Sequence, residues 1–180
     1  MDIEKDLKII ERVAIEKNDE IWAFRSFLKR HNYGIEKLDA IVHQITDEVC
    51  AQIDCTQCGN CCKHVTPILD EDDLSRFAVG LKISEDELRK KYLLLDTNAT
   101  TEYQFNTLPC PFLSGTRCTN YEYRPKSCAS YPHLHKDEFV FRLWGVVQNY
   151  SCCPIVFNVY EKLKDELWHN DEFSEDDFYE

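Results

Sequence analysis

Apolar residues recur at every third or fourth position in two stretches of the first 50 residues, 3–31 and 35–49. This spacing places them on one face of a helix. The pattern predicts an N-terminal helical hairpin, with an interruption near Asn18-Asp19 in its first part. Asn32-Tyr33-Gly34 separates the two stretches, because asparagine and glycine tolerate the left-handed backbone conformations that end helices.

Three further helices are predicted later in the chain. The first covers 70–79, has acidic residues in its first turn and ends at Gly80. The second covers 84–94 and begins with a capping box at Ser84, in which two side chains satisfy backbone amides of the first turn. The third covers 156–167, where apolar residues again fall on one face.

Two other stretches, 101–107 and 138–144, have β-prone composition or alternate apolar residues between the two sides of the chain. We expect them to pair as a short antiparallel β-ribbon. The whole pattern predicts an α+β fold that is mostly helical. We expect an N-terminal helical extension (1–50), a cysteine-rich domain organised by a metal (51–164) and an acidic C-terminal tail (165–180).

The candidate residues for chemistry, judged by residue type, are ten cysteines, most of which are concentrated in a few short stretches. Four of them form the motif Cys55-x2-Cys58-x2-Cys61-Cys62, in which Gly59 allows the backbone to turn tightly. Thiolates two residues apart in a turning backbone can converge on one metal centre. Five more thiols follow downstream, at Cys110, Cys118, Cys128, Cys152 and Cys153.

The compartment decides between metal binding and disulfides. The N-terminal segment is charged throughout, and no run of 18 apolar residues occurs, so we expect no signal peptide and a cytoplasmic location. Disulfides are rare in reducing compartments. The clustered cysteines therefore favour a metal site over a disulfide framework or a set of free core thiols.

Two kinds of metal centre fit the spacing. Zinc sites usually take two ligands from each of two knuckles, whereas Cys-x2-Cys-x2-Cys with a remote Cys-Pro is typical of bacterial ferredoxin clusters. Cys110 and Cys153 both precede proline, which favours an iron–sulfur cluster, with zinc as the alternative. Neighbouring cysteines point in different directions, so each doublet, including Cys61-Cys62, is expected to give one ligand to the main site.

The sequence also contains other potential sets of metal ligands. Cys50-x4-Cys55-x2-Cys58 matches the spacing of plant-type ferredoxins, but Cys50 falls at the end of a predicted helix. Histidines also bind metals and could replace a thiol. The candidates are His64, His133 and His135.

Charge limits the kinds of partner. The chain has 21 Lys and Arg against 33 Asp and Glu, a net charge of −12. Such a surface repels phosphate backbones and anionic membranes, so we expect neither nucleic acid nor a membrane as partner. The tail 165–180 contains no Lys or Arg, and its aromatic residues Phe173, Phe178 and Tyr179 are potential docking points. We expect the partner to be another protein.

The ordered set of cysteines resembles the YkgJ-like cysteine-cluster family, CxxCxxCC, described as a zinc- or iron-chelating domain. The resemblance covers about 55–154 and includes Cys110-Pro-Phe-Leu, Tyr121 to Pro125, Tyr131-Pro132 and Cys153-Pro154. It implies a bacterial-type metal- or cluster-binding protein, and some relatives are linked to flagellin lysine methylation. The implied ligands are Cys55, Cys58, Cys61 or Cys62, Cys110, Cys118, Cys128 and Cys153.

Two functional classes follow from the sequence. The first is a binding or structural module in which clustered thiolates coordinate a metal that holds the loops together, and the sequence favours this class. The alternative is an iron–sulfur redox or protein-modification enzyme. Motifs for nucleotide binding, radical S-adenosylmethionine chemistry or a nucleophilic serine are absent from the sequence.

Overall fold

The structure is a computed structural model, and it describes residues 2–30, 33–95 and 102–168. The chain divides into two compact units, which we call the helical unit (1–53 with 132–180) and the cysteine unit (54–131). This division follows packing within each unit. The domain boundaries expected from the sequence stay a prediction. The expected turn at 31–32 and the tail residues 169–180 lie outside the described residues.

The secondary structure is dominated by helices. In chain order they are α1 (Leu7–Glu16), α2 (Asn18–Arg30), α3 (Ile35–Cys50), α4 (Cys61–His64), α5 (Glu71–Leu81), α6 (Glu85–Tyr92), α7 (Lys126–Ala129), α8 (Leu143–Tyr150) and α9 (Pro154–Leu167). The strands are β1 (Ile68–Leu69), β2 (Leu93–Leu95), β3 (Tyr103–Phe105), β4 (Leu113–Ser114) and β5 (Arg117–Cys118). The mostly helical α+β fold is therefore confirmed.

Helix α9 forms the centre of the helical unit. Pro154 occupies its first turn, where the fixed φ of proline suits a helix and no amide is lost. Nearly all its residues from Pro154 to Leu163 are buried, as expected of a helix enclosed by other elements. Helices α1, α3 and α8 pack against it. The N-terminal helices thus obtain much of their apolar cover from the far end of the chain.

The helix boundaries in the N-terminal part agree with the sequence prediction. Helix α1 begins after Asp6, whose side chain accepts a hydrogen bond from the Lys8 amide. It ends at Glu16, and α2 begins at Asn18, so the predicted interruption is confirmed. Helix α3 follows Gly34, which has a φ of +72°.

The prediction of a strand over 138–144 is wrong. This segment forms a short 3-10 turn that leads directly into α8. Phe139 and Leu143, four residues apart, are fully buried, whereas Phe141 is 63% exposed, so burial follows a helical period. The buried carboxylate of Asp39 accepts hydrogen bonds from the amides of residues 138 and 139, at 2.6 and 2.9 Å, and fixes the start of the turn.

The cysteine unit contains a three-stranded antiparallel sheet with strand order β1-β3-β2. Leu69 lies opposite Tyr103, and Leu93 lies opposite Phe105. The predicted strand near 101–107 is therefore present as β3, but it pairs with β1 and β2. Residues 93–95, predicted to end a helix, form β2. The sheet and helices α5 and α6 enclose an apolar core that includes Phe77, Leu88 and Phe112.

The caps of α5 and α6 hold this core in place. Asp70 accepts a hydrogen bond from the Asp73 amide at 2.7 Å, and Ser84 accepts one from the Glu87 amide at 3.1 Å. Gly80 does not end α5, as the sequence predicted, but lies within it. A Cβ at Gly80 would approach Asn120 Oδ1 to 2.1 Å, so glycine here permits close packing.

Across the described part of the chain, no helix is both long and apolar enough to cross a membrane.

Candidate metal centre

The first cysteine motif forms a tight loop at the start of the cysteine unit. Asp54 accepts hydrogen bonds from the amide and hydroxyl of Thr56, at 2.9 and 2.7 Å, and this starts a 3-10 turn at the exposed Cys55. Gly59 has a φ of +60°, and a Cβ there would lie 2.5 Å from the Thr116 carbonyl oxygen. Thr116 also donates its hydroxyl to the Thr56 carbonyl at 2.8 Å. The loop is therefore fixed against the β4–β5 turn.

Cys62 and Cys110 are brought together by the backbone. The Cys110 amide donates to the Cys62 carbonyl at 2.7 Å, which joins α4 to the Pro-rich loop 48 positions further along. Cys110 in turn accepts a hydrogen bond from the Leu113 amide at 3.0 Å, where β4 begins. Both thiols are thus held on segments with defined backbone positions.

Cys118 lies at the end of β5, opposite Leu113 in the β4–β5 ribbon. Its sulfur accepts a hydrogen bond from the Asn120 amide, with an N···S distance of 3.4 Å. The Asn120 side chain donates to the Phe77 carbonyl at 2.9 Å and so fixes this segment to α5. Amide hydrogen bonds of this kind are typical of thiolates in metal centres.

Cys128 is positioned by the short helix α7. The Lys126 amide donates to the buried carboxylate of Asp73 at 3.0 Å, and Ser127 donates its hydroxyl to the Ile68 carbonyl at 2.8 Å. These contacts attach the start of α7 to both α5 and β1. Cys128, which is half-buried, is therefore held on a segment fixed at two points.

Cys62, Cys110, Cys118 and Cys128, here called the thiol quartet, lie close enough for their charges to affect one another's pKa. A hydrogen bond from the Cys61 side chain, helped by the nearby Arg124 guanidinium, lowers the pKa of Cys62 to about 7. Burial, together with the charge of Cys62, raises the pKa of the other three, to about 11 for Cys110 and about 12 for Cys128. The charge of Cys62 therefore acts on thiols of three other segments.

Arg124 is the cation of this site. Its guanidinium carbon lies 3.5 Å from the centroid of the Tyr121 ring, and its charge opposes the rise in the pKa of Cys118 and Cys128. Its Nε is buried and has no hydrogen-bond partner within the described residues. A buried donor without a partner is costly, and a negatively charged sulfur ligand would satisfy it.

The donor set fits a thiophilic metal. None of the ten cysteines forms a disulfide. The quartet could not carry four negative charges at neutral pH without a cation among them, since a bound metal is what deprotonates coordinating thiols. In the described ranges, no three Cys, His, Asp or Glu side chains already surround a common point. The quartet supplies suitable ligands, and its side chains would have to turn toward the ion.

Comparison with known families identifies the domain. The family CxxCxxCC, described as a putative zinc- or iron-chelating domain, matches residues 54–166. The chain belongs to this family. No curated protein and no solved structure compared with the chain matches it significantly. Metal chelation is thus the family property, and the CxxCxxCC match includes every cysteine of the thiol quartet.

The remaining cysteines of the CxxCxxCC domain occupy different settings. Cys55 and Cys58 flank the 3-10 turn of the first motif, and Cys61 lies beside Cys62 at the start of α4. Cys153 belongs to the helical unit, where it is the buried N-cap residue of α9. Metal binding by these four cysteines, as by the thiol quartet, stays a prediction.

The other potential ligands lie in varied environments. Cys50 is the last residue of α3, and burial raises its pKa. Cys152 contacts Asn149, with its sulfur 3.6 Å from the carbonyl oxygen. His135 contacts Asp47 at 2.9 Å, and His64 is exposed at the end of α4.

Sequence reasoning missed two contributors to the site. Asn120 donates to Cys118 through its backbone, and Asp73 holds the start of α7. Neither residue has a local signature that separates it from an ordinary polar loop residue or an acidic helix start. Arg124, by contrast, stands four residues before Cys128 and lies within the stretch Tyr121 to Pro125 that belongs to the family resemblance.

Proposed function

We propose that the cysteine unit is a metal–thiolate module in which the thiol quartet coordinates one centre, and that the centre is an iron–sulfur cluster. The observation that carries the proposal is the backbone hydrogen bond that joins the Cys62 and Cys110 segments, together with the effect of the Arg124 charge on the pKa of Cys62, Cys118 and Cys128. Bound iron would form bonds to the thiolates and so connect these segments.

A structural role for the metal is supported by how short the regular elements that carry the cysteines are. Strands β4 and β5 have two residues each, and α4 and α7 have four each. Apparent free energies of binding at structural zinc sites reach about 10–16 kcal/mol, comparable with the stability of a whole domain.

The net charge of −12 favours a protein over nucleic acid as the partner of such a module.

The iron–sulfur assignment is supported by the all-thiolate donor set of the quartet, which iron–sulfur clusters take. One of its members, Cys110, precedes a proline, as the remote ligand of bacterial ferredoxins does. Protein purified without oxygen is expected to be brown, with iron and acid-labile sulfide in comparable amounts. Colourless protein with stoichiometric zinc would show that the centre is zinc and not a cluster, with the thiol quartet as its ligand set. Metal-free protein after both preparations would overturn the proposal.

One observation favours the enzymatic alternative. A surface depression of about 400 Å³, lined by residues that include Gly80, Cys118 and Tyr121, opens beside one thiol of the quartet. A centre reached from this depression could exchange electrons with a bound substrate. If so, Tyr121→Ala would alter the reduction potential or ligand access of the loaded protein without lowering its metal content. An unchanged potential would favour the purely structural module.

A further inference from the structure

The helical unit carries a surface of aromatic and basic side chains, which we call the aromatic–basic surface. Its members are the half-buried Trp22 and Arg25 and the exposed Lys29 of α2, with Phe141 and Trp144. The rings of Trp22 and Trp144 are in contact, with centroids 5.2 Å apart. Phe141 and Trp144 are 63% and 60% exposed. Large apolar side chains grouped together on a surface mark interaction sites more often than single exposed residues do.

The cations of this surface stand over its rings. The Arg25 guanidinium carbon lies 5.5 Å from the Trp22 centroid and 5.9 Å from that of Trp144, and Lys29 Nζ lies 5.8 Å from the Phe141 centroid. Within the described ranges neither cation forms a salt bridge, and the buried Arg25 Nε has no hydrogen-bond partner. On a chain with a net charge of −12, two uncompensated cations beside exposed aromatic rings suit an acidic ligand with apolar anchors.

The last twelve residues of the chain have this chemistry. Positions 169–180 contain six Asp or Glu residues and no Lys or Arg. They also contain three aromatic residues spaced along the segment, Phe173, Phe178 and Tyr179. The segment lies beyond the family match, which ends at residue 166, and three members of the aromatic–basic surface lie before its start at residue 54.

The segment also begins beside the helix that carries the surface. Trp168 stacks on Phe24 and Phe27 of α2, with centroid distances of 5.4 and 6.1 Å. A helix with its side chains is about 10–12 Å across. Twelve residues span up to about 40 Å when extended. The segment can therefore reach from Trp168 around α2 to the aromatic–basic surface.

We propose that the aromatic–basic surface is the docking site of the chain's own acidic segment 169–180. Carboxylates of the segment pair with Arg25 and Lys29, and its aromatic side chains cover Trp144 and Phe141. A second copy of the surface would bring like charges together, and nucleic acid is repelled by the charge of the chain. An acidic partner protein would have to displace the segment in order to bind.

The test compares the full chain with a full-length variant in which the tail keeps its charge but loses its anchors, Phe173→Ser/Phe178→Ser/Tyr179→Ser. The readout is the indole N–H resonances of Trp22 and Trp144. We expect both to move in the variant, because docking requires the aromatic anchors. Adding a synthetic peptide of residues 169–180 to the variant should return them to the positions of the parent, less effectively as salt is raised.

Charge variants in the same background make the test specific. Arg25→Gln/Lys29→Gln should weaken peptide binding by about tenfold. The matched control is Lys8→Gln/Arg12→Gln, which removes two exposed cations from α1 and should leave binding unchanged. Far-UV circular dichroism confirms that each variant is folded.

Three results would overturn the proposal. The Trp22 and Trp144 resonances would be the same in the full chain and the tail variant if the segment did not dock. Resonances that depend on protein concentration would assign the surface to self-association instead. Equal weakening by the α1 control pair would reduce the effect to unspecific charge attraction.

Discussion

The Arg124 guanidinium stacks on the Tyr121 ring at 3.5 Å, while the guanidinium of Arg117 lies over the same ring at 4.4 Å. Arg124 helps to lower the pKa of Cys62 to about 7. Arg117 acts instead on the carboxylate of Asp54. Substituting each of the two arginines in turn therefore separates the effect of a charge on the thiols from the effect of stacking on the tyrosine.

The first prediction concerns the reactivity of Cys62 in metal-free protein. Its lowered pKa means that the thiolate forms as pH rises through about 7, well below the ordinary range of a cysteine. Arg124→Met should move the midpoint of Cys62 alkylation to higher pH, because loss of a positive charge destabilises the thiolate. Cys61→Ala should move it further, since the Cys61 hydrogen bond is the larger cause. Mass spectrometry of alkylated peptides measures both.

Arg117→Met is the control for this experiment. It removes a cation from the same ring and should leave the Cys62 midpoint unchanged. A shift equal to that of Arg124→Met would mean that stacking on Tyr121, rather than charge beside the thiols, sets the reactivity.

The helices were predictable because their signal is local. The apolar period of 3–4 residues gave α1, α2, α3 and α9, and the caps at Asp70 and Ser84 depend on residues within one turn. The prediction for the segment 138–144 was wrong for the same reason. Alternate apolar residues resemble a strand, but the carboxylate that caps the turn comes from Asp39, about 100 positions away.

The site was only partly predictable. Cysteine spacing identified the ligand type, and family resemblance supplied the candidate residues. Which thiols become neighbours depends on long-range contacts, such as the hydrogen bond from the Cys110 amide to the Cys62 carbonyl. The spacing of Cys55, Cys58 and Cys61 indicates a site at the first motif. The thiols whose charges act on Cys128 are instead Cys62, Cys110 and Cys118.

The second prediction tests whether the metal holds the cysteine unit together. Cys128→Ser should lose metal and expose 54–131 to protease, because its thiol belongs to the quartet. Cys50→Ser is the matched control: that cysteine ends α3 in the helical unit and should change neither property. Metal analysis and limited proteolysis are made on the same samples. A metal-free Cys128→Ser protein as resistant to protease as its parent would contradict the structural role.

The third prediction separates backbone strain from steric contact at two glycines. Gly59 and Gly115 have nearly equal φ values, +60° and +62°. A Cβ at Gly59 meets the Thr116 carbonyl oxygen at 2.5 Å, whereas a Cβ at Gly115 meets nothing within 4 Å. Gly115→Ala should cost about 1 kcal/mol of unfolding free energy for the left-handed backbone. Gly59→Ala should cost roughly 1–3 kcal/mol more, since backbone must also move.

Urea unfolding of the metal-free and metal-loaded proteins measures this difference. We expect Gly59→Ala to lower metal affinity as well, because displacing Thr116 shifts the ribbon that carries Cys118. Equal costs for the two alanine variants would mean that the loop of the first motif is not held against the β4–β5 turn.

The fourth prediction concerns a buried ionic network in the helical unit. Lys164, 1% exposed, pairs with Glu161 and, at 2.6 Å, with Glu20. Glu161 also accepts a hydrogen bond from the Tyr150 hydroxyl at 2.7 Å and pairs with Lys17 at 3.2 Å. Removing one partner from a buried ion pair costs about 3–5 kcal/mol, and without Lys164 the half-exposed Lys17 is, among the described residues, the remaining cation paired with Glu161. We therefore expect Lys164→Met to be strongly destabilising in urea unfolding followed by helicity.

Lys162→Met on the same helix provides the comparison. Lys162 pairs at 3.6 Å with Glu48, whose side chain is 50% exposed, and such pairs contribute about 0–1 kcal/mol. Adding Glu161→Gln to Lys164→Met should recover part of the lost stability. It removes the carboxylate charge that has lost its Lys164 partner, while the amide can still form a hydrogen bond with Tyr150. If Lys164→Met and Lys162→Met cost the same, the Lys164 site is hydrated in solution and the network does not support the α9 core.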